Sequence, residues 1–271
     1  MEPVRPEFVP DPSLARGEME ALQREIAAAA VFEDDFDFDP GAVGVSSTID
    51  PDAGAAHGDQ THLGPGDGGP IVAGVDQAFL DDEAVSAVVA VRDGAVVERV
   101  HAVAPLSIPY VPGLLSFREG GPILAAFEAL DVEPDLVLFD GSGRIHFRQA
   151  GIATHLGVVL DVPSVGVAKG LLCGRPRSPV EGLPEGARVA IEGDGRVEDA
   201  EGEVIGYAVQ TKQYPDSRRV NPVYVSSGHR VGAASAADFA LALAAAYKLP
   251  EPIRLADRYV GEVRDRLESE R

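Results

Sequence analysis

The sequence predicts an α/β protein built on one mixed β-sheet with helices on both faces. Two observations support this fold class. The dipeptide Asp93-Gly94 joins two of three consecutive strand-like segments and is a strong signal for a hairpin in an antiparallel meander. Further along, an apolar run at 136–139 is followed by a helical pattern and a second apolar run at 164–168, the order of a parallel crossover. We therefore expect antiparallel and parallel pairing in the same sheet.

The composition is that of a soluble chain with a full hydrophobic core. It has 271 residues, of which 45% are hydrophobic. No run of about 18 apolar residues is present, and the N-terminal residues lack the pattern of a signal peptide. We therefore expect a monomeric, cytoplasmic protein with no membrane partner. The single cysteine, Cys173, excludes an internal disulfide and a cysteine-based metal cluster.

The net charge of -21 arises from 23 basic and 44 acidic residues. Such a charge opposes binding to nucleic acid, because that binding depends on neutralising phosphates. In a cytosol of high salt, however, surface charges are screened within a few Å and acidic side chains keep the protein hydrated. We interpret the charge as an adaptation to salt.

The first 70 residues divide into two segments. Residues 1–32 are expected to form a helical segment of the main domain, because apolar side chains recur there at near-helical spacing. Residues 33–70 are rich in Asp, Gly, Ala and Pro and show no apolar periodicity, so we expect a disordered acidic insertion. The main domain is then 71–271.

The elements of that domain follow from apolar periodicity and turn signals. Strands are expected at 71–79, 85–91, 95–103, 136–139, 164–168, 189–192, 204–210 and 223–226. Helices are expected around 123–130 and 150–160, and at 234–248 and 255–268 on either side of a Pro-Glu-Pro sequence. A meander followed by crossovers in one helix-covered sheet is the ribonuclease H-like arrangement.

Two acidic residues lie at or in the predicted central strands. Asp140 ends the buried run at 136–139, and Asp76 lies within the first strand, where aspartate is rare. If these strands are neighbours, both carboxylates can share Mg²⁺ or Mn²⁺, which prefer oxygen ligands. The alternatives are a turn-initiating acid for Asp140 and a solvent-facing acid for Asp76.

Four other residues are candidates for the same site. Glu119 either contributes a carboxylate or forms a capping box with Ser116. Lys169 ends a buried strand and can hold a phosphate, or it extends to solvent. His146 can bind substrate or transfer a proton, or it is structural. Tyr110, between two prolines, can wedge between bases, or it packs locally.

Seven segments form an ordered set of motifs: V-A-G-V-D ending at Asp76, P-Y-V-P-G-L-L-S-F-R-E from Pro109 to Glu119, D-L-V-L-F-D-G-S-G ending at Gly143, H-F-R-Q-A-G-I-A-T-H-L-G starting at His146, V-P-S-V-G-V-A-K ending at Lys169, S-S-G-H-R ending at Arg230 and L-P-E-P-I-R-L-A-D-R ending at Arg258. Together they resemble the endonuclease V family from about residue 71 to 258.

This resemblance implies a nuclease that uses Mg²⁺, or Mn²⁺ in its place, and cuts the second phosphodiester bond 3′ to deoxyinosine. It would leave 3′-hydroxyl and 5′-phosphate ends in DNA repair. The resemblance assigns roles as follows: metal ligands Asp76 and Asp140; other catalytic positions Glu119, Lys169, His146 and Asp257; a strand-separating wedge at Tyr110 between Pro109 and Pro112; and a lesion pocket shaped by Gly113, Leu114 and Leu115. The sequence departs from the family pattern at Gln77-Ala78 and at Phe147.

Two other functions are compatible with the motifs. One is a ribonuclease H-like nuclease that acts on inosine in RNA or on branched DNA, since the 2′-hydroxyl is recognised by contacts that the motifs do not define. The other is a non-catalytic nucleic-acid-binding scaffold, which would tolerate the loss of an acid, whereas Asp76, Glu119 and Asp140 are all present. No P-loop pattern supports an ATPase.

Overall fold

The computed structural model describes residues 1–52, 68–214 and 221–271. A mixed sheet of nine strands in the order β3-β2-β1-β4-β5-β9-β8-β7-β6 forms its centre. The strands are β1 Val72–Leu80, β2 Glu83–Arg92, β3 Ala95–Pro105, β4 Leu136–Asp140, β5 Ser164–Ala168, β6 Arg175–Pro176, β7 Arg188–Glu192, β8 Val204–Val209 and β9 Val223–His229. The α-helices are α1 Arg16–Ala29, α2 Leu115–Glu128, α3 Ile152–Leu160, α4 Ala233–Ala242 and α5 Glu251–Glu270.

The strand pairing confirms the predicted fold class. β1, β2 and β3 form the antiparallel meander, with the turn at Asp93-Gly94 between β2 and β3. β1 then pairs in parallel with β4, and β4 in parallel with β5, through the crossover helix α3. The remaining strands extend the sheet by antiparallel pairing. The first strand and the strand that ends at Asp140 are therefore adjacent in the sheet, as the ribonuclease H-like arrangement implies.

The central strands are buried on both faces. In β4, Leu136 and Leu138 join the core beneath α4 and α5, whereas Val137 and Phe139 join the core beneath α2 and α3. This alternation is the two-residue period of a strand. Burying each such side chain stabilises the fold by roughly 1.5–3 kcal/mol. The site at the end of β4 thus rests on a strand that is packed on both faces.

Helix α5 lies directly on β1 because one strand position has no side chain. A Cβ atom at Gly74 would lie 2.1 Å from the backbone carbon of Pro252. Any larger residue would push the start of α5 away from the sheet. This close approach carries Asp257, on the second turn of α5, towards Asp76 on β1.

The helix boundaries on either side of Pro250 differ from the predicted ones. The helix expected at 234–248 ends at Ala242, and the helix expected to start at 255 starts at Glu251. The second difference has a simple cause, because Pro252 lies in the first turn, where the missing N–H has no partner to lose. No helix in the described parts of the chain is long and apolar enough to cross a membrane.

The expectation of disorder is wrong for residues 33–52. Val43 and Ile49 are buried in the core beneath α4 and α5, and Phe36 and Phe38 pack against it. The segment is also hydrogen-bonded to α5, because the Glu251 carboxylate accepts from the Ile49 amide at 2.8 Å. An irregular segment can bury single side chains without any periodic pattern, which is why periodicity missed it. Residues 53–67 lie outside the described residues.

Candidate active site at the ends of the central strands

Asp76 and Asp140 occupy adjacent positions on the parallel strands β1 and β4. The register pairs Val75 with Phe139, and each acid is the next residue along its strand. Burial raises the pKa of Asp76 well above its usual range, and the charge of Asp140 and a hydrogen bond that the protonated Asp76 donates to Asp257 raise it further. Two such carboxylates close together need a compensating positive charge.

Lys169 supplies positive charge at the same strand ends. Its Nζ donates to Oδ2 of Asp140 at 2.6 Å, and its side chain is 55% exposed. Burial lowers the pKa of Lys169, but the hydrogen bond to Asp140 and the charges of Asp76 and Asp257 outweigh burial and raise it. Lys169 therefore remains protonated, and its charge partly offsets the negative charge of Asp76, Asp140 and Asp257.

Glu119 lies on α2 and faces the same cleft. Burial raises the pKa of this carboxyl to about 7, the nearby Arg118 opposes the rise, and the charge of Asp140 adds to it. The capping-box alternative does not describe this helix. α2 starts at Leu115, so Ser116 lies inside it, and the Glu119 Oε1 accepts from Arg118 at 3.1 Å.

A cleft lies between α2 and the strand positions of Asp76 and Asp140. The cleft combines three carboxyl groups, those of Asp76, Glu119 and Asp140, with apolar walls. It is lined by Val75, Asp76, Gln77, Phe79, Glu119, Ile123, Phe139, Asp140 and Ile152. In the described parts of the chain, no three acidic, histidine or cysteine side chains already converge as a closed metal site. The donor set still suits Mg²⁺, which is commonly held by one or two carboxylates together with substrate phosphates and water.

The sequence did not predict the role of Gln77. Its amide nitrogen donates to the Ser86 hydroxyl and, at 3.2 Å, to the backbone carbonyl of Glu119. Its Oε1 is buried without a partner in the described structure. Gln77 therefore ties β1 to α2 within the cleft. The only signal was that glutamine departs from the family pattern beside Asp76.

His146 lies away from the acids, beneath the loop that precedes α2. Its Nε2 donates to the Gly113 carbonyl at 3.1 Å, and its Nδ1 accepts from the Arg148 amide at 3.2 Å. Burial, together with the charge of Arg148, lowers the pKa of His146 to about 4. This imidazole is therefore neutral at physiological pH. Its hydrogen bonds connect the base of the loop, at Gly113, to the backbone at Arg148.

The loop between β3 and α2 is exposed at its tip and buried at its base. Tyr110 is 64% exposed, and Pro109 and Pro112 are exposed beside it. Gly113 and Leu114 are buried, and Leu115 is partly buried at the start of α2. The structure thus presents an aromatic ring on a short loop with a fixed base.

The nine-stranded mixed sheet, with Asp76 and Asp140 side by side on its central strands, defines a ribonuclease H-like nuclease fold. The family model of endonuclease V matches residues 60–258. The chain is 55% identical to the endonuclease V of Natronomonas pharaonis and covers 98% of both chains. It is 57% identical to that of Haloarcula marismortui over 99% of both. The chain therefore belongs to the endonuclease V family, and its hydrolase class and the predicted resemblance are confirmed.

Solved structures agree with this assignment. The crystal structure of endonuclease V from Streptomyces avermitilis shares 31% identity and a TM-score of 0.71, with 97% of each chain covered. Ciona intestinalis endonuclease V, solved with a 24mer DNA that contains an inosine, has a TM-score of 0.67 over 93% of this chain and 98% of its own, and at 24% identity it establishes the fold alone. The two relatives with the highest identity above come from halophilic archaea, as the acidic composition predicted.

Proposed function

We propose that the protein is a DNA-repair endonuclease that uses Mg²⁺ and cleaves the second phosphodiester bond 3′ to deoxyinosine. The products would carry 3′-hydroxyl and 5′-phosphate ends. One observation carries the proposal. Asp76 and Asp140 are side by side on two parallel strands, just beyond the last positions at which those strands pair, with Asp257 and Lys169 in electrostatic contact with them.

Asp76 and Asp140 are the residues that would hold the cation. Burial, and then the charge of Asp140, raise the pKa of the partly buried Asp76, and a divalent ion would offset the cost of ionising this carboxyl. When bound, the ion supplies Lewis-acid chemistry by activating water and neutralising charge on the phosphate. Mn²⁺, which also prefers oxygen ligands, would substitute.

The remaining polar residues would act on the phosphate and on protons. The exposed ammonium of Lys169 can exchange its bond to Asp140 for a phosphate oxygen, as a mobile point charge. Glu119, with a pKa of about 7, is suited to accept or hold a proton near neutral pH. Asp257 shares a hydrogen bond with Asp76 and would fix the orientation of that ligand.

Recognition of the lesion would use the loop before α2. A base that is recognised through its edge has to leave the stack, and an inserted ring lowers the cost of extruding it. The exposed Tyr110 is available for insertion, and the buried backbone at Gly113 and Leu114 would form the wall of the lesion pocket.

Cleavage of matched oligonucleotides tests this function. End-labelled DNA and RNA strands, each with one inosine or with adenine at that position, are incubated with Mg²⁺, Mn²⁺ or EDTA at several salt concentrations. In DNA, we expect cleavage of the second phosphodiester bond on the 3′ side of the inosine, and only when Mg²⁺ or Mn²⁺ has been added. Cleavage of the adenine strand at the same rate, or undiminished cleavage in EDTA, would contradict the proposal. Preferential cleavage of the RNA strand would identify RNA as the substrate instead.

A further inference from the structure

The N-terminal helix α1 contacts the base of the loop between β3 and α2, which bears Tyr110, through one buried glutamine. Gln23 has no solvent exposure. Its Nε2 donates to the Gly113 carbonyl at 2.9 Å, and its Oε1 accepts from Nε of Arg148 at 2.7 Å. Ninety residues of chain separate Gln23 from Gly113, so local structure does not produce this contact.

The carbonyl of Gly113 is held by three donors. Besides Gln23, it accepts from Nε2 of His146 at 3.1 Å and from a guanidinium nitrogen of Arg148 at 3.3 Å. A carbonyl oxygen has two lone pairs, so three donors saturate it. Because Gln23 and Arg148 are also bonded to each other, the three side chains and the carbonyl form one closed network. We call these three side chains the Gly113 clamp.

The backbone at Gly113 depends on such support. Gly113 adopts a φ of 82°, and a Cβ atom there would lie 3.0 Å from the ring of Phe147. Leu114 packs with Met19 of α1, and Val111 and Leu22 join the same apolar cluster. The clamp and this cluster therefore fix the base of a loop whose tip, three residues away at Tyr110, is 64% exposed.

We propose that Gln23 is a positioning residue for lesion recognition, which sets the place of the Gly113 carbonyl and hence of the loop that bears Tyr110. This inference rests on the proposed function, because it assumes that the loop meets the extruded base. Gln23 does not touch the acids of the cleft; its partners are Gly113, Ala150 and Arg148. Its loss should therefore affect recognition of the base and leave the chemical step intact.

Gln23→Met is the informative variant, because methionine has a similar length and fills the space but cannot donate to Gly113. Ile26→Ala is the matched control. Ile26 is equally buried on α1 but packs against Ala150 and Val158 rather than the loop. Its cavity should lower the melting temperature at least as much as Gln23→Met does.

Steady-state cleavage of inosine and adenine strands gives the first readout. For Gln23→Met we expect the ratio of kcat/KM between the two strands to fall about tenfold, as expected for one lost interaction. KM for the inosine strand should rise, while kcat stays within about twofold. An unchanged ratio, or an equal fall in Ile26→Ala, would overturn the inference. Loss of preference in the wild type itself would instead refute the proposed function.

A second readout does not depend on cleavage. The chain contains no tryptophan, so Tyr110→Trp introduces a single tryptophan at the loop tip, which can be excited at wavelengths that tyrosine does not absorb. We expect added Gln23→Met to shorten the fluorescence anisotropy decay of this variant in the absence of DNA, because the loop base is released. Added Ile26→Ala should leave the decay unchanged. An identical decay with and without Gln23→Met would show that the clamp does not position the loop.

Discussion

Asp76, in the middle of β1, and Asp140, at the end of β4, lie side by side, each one residue beyond the last paired positions Val75 and Phe139. This placement follows from parallel pairing, since two parallel strands present the carboxyl ends of their paired stretches at the same edge. The cores on both sides of the sheet hold that edge. The two carboxylates therefore meet because the fold imposes it, although their repulsion costs free energy without a cation.

Asp140→Asn is expected to abolish cleavage and preserve the fold. The amide retains the shape but removes the charge that would hold the cation, so the Mg²⁺-dependent rate should fall by orders of magnitude. Asp76→Asn should behave alike. Single-turnover cleavage and circular dichroism check this expectation. Asp238→Asn, at an exposed ion pair with Arg188, is the matched control and should cleave normally. Near-normal activity of Asp140→Asn would refute the ligand role.

Tyr110→Ala is expected to weaken binding to inosine-containing duplex more than binding to the same single strand. Only the duplex has to be opened, and stacking of an aromatic ring on a base is worth about 1–3 kcal/mol. Tyr110→Phe, which keeps the ring, should bind both substrates nearly as the wild type does. Fluorescence titrations with labelled oligonucleotides measure the difference. Equal losses for duplex and single strand in Tyr110→Ala would exclude the wedge role.

The segment at 33–52 is expected to contribute to stability. Ile49 is buried, and its backbone carbonyl accepts from Arg254, which is paired with Glu251. Ile49→Ala should lower the free energy of unfolding by roughly 2–5 kcal/mol. The exposed Thr48→Ala should change it by less than about 0.5 kcal/mol. Urea denaturation measures both values. A tolerated Ile49→Ala would show that this segment does not contribute to the stability of the core.

Features that depend on a local sequence pattern were predicted well, whereas contacts between segments distant in sequence were not predicted. The acid at the end of β4 follows from a buried run, and the pairing of β4 with β5 follows from a crossover, both visible locally. The pairing of β1 with β4 was expected only from the fold class. The bond from Gln23 to Gly113 and that from Ile49 to Glu251 span 90 and 202 residues. Single polar contacts of that kind leave no periodic trace in the sequence.

Asp257 illustrates the boundary between the two cases. Only the family motif indicated it, since nothing in its helical surroundings suggests a site. The structure explains its position, because the absence of a side chain at Gly74 lets α5 lie against β1 and brings Asp257 to Asp76. A close approach of this kind depends on three-dimensional packing that composition and periodicity do not encode.

Acid is expected to destabilise the protein through its buried histidines. Burial lowers the pKa of His155 to about 4, and its Nε2 donates to the Phe8 carbonyl at 2.8 Å. Below pH 6.5 the unfolded chain takes up a proton at this residue while the folded chain does not, until the pH approaches 4. The stabilisation is thus fully present above pH 6.5 and is lost as the pH falls from 6.5 to 4, by about 1.4 kcal/mol per pH unit.

The variant His155→Gln isolates this effect, because the amide can still donate to the Phe8 carbonyl but does not titrate. We expect the free energy of unfolding, measured by urea at pH 7, 6, 5 and 4.5, to fall less steeply in His155→Gln than in the wild type. The raised pKa values of Asp76 and Glu119 act in the opposite direction, but they are common to both proteins and cancel in the difference. His101→Gln, at a partly buried position, should change the slope less. Parallel pH profiles for His155→Gln and wild type would show that this imidazole is not held neutral in the folded state.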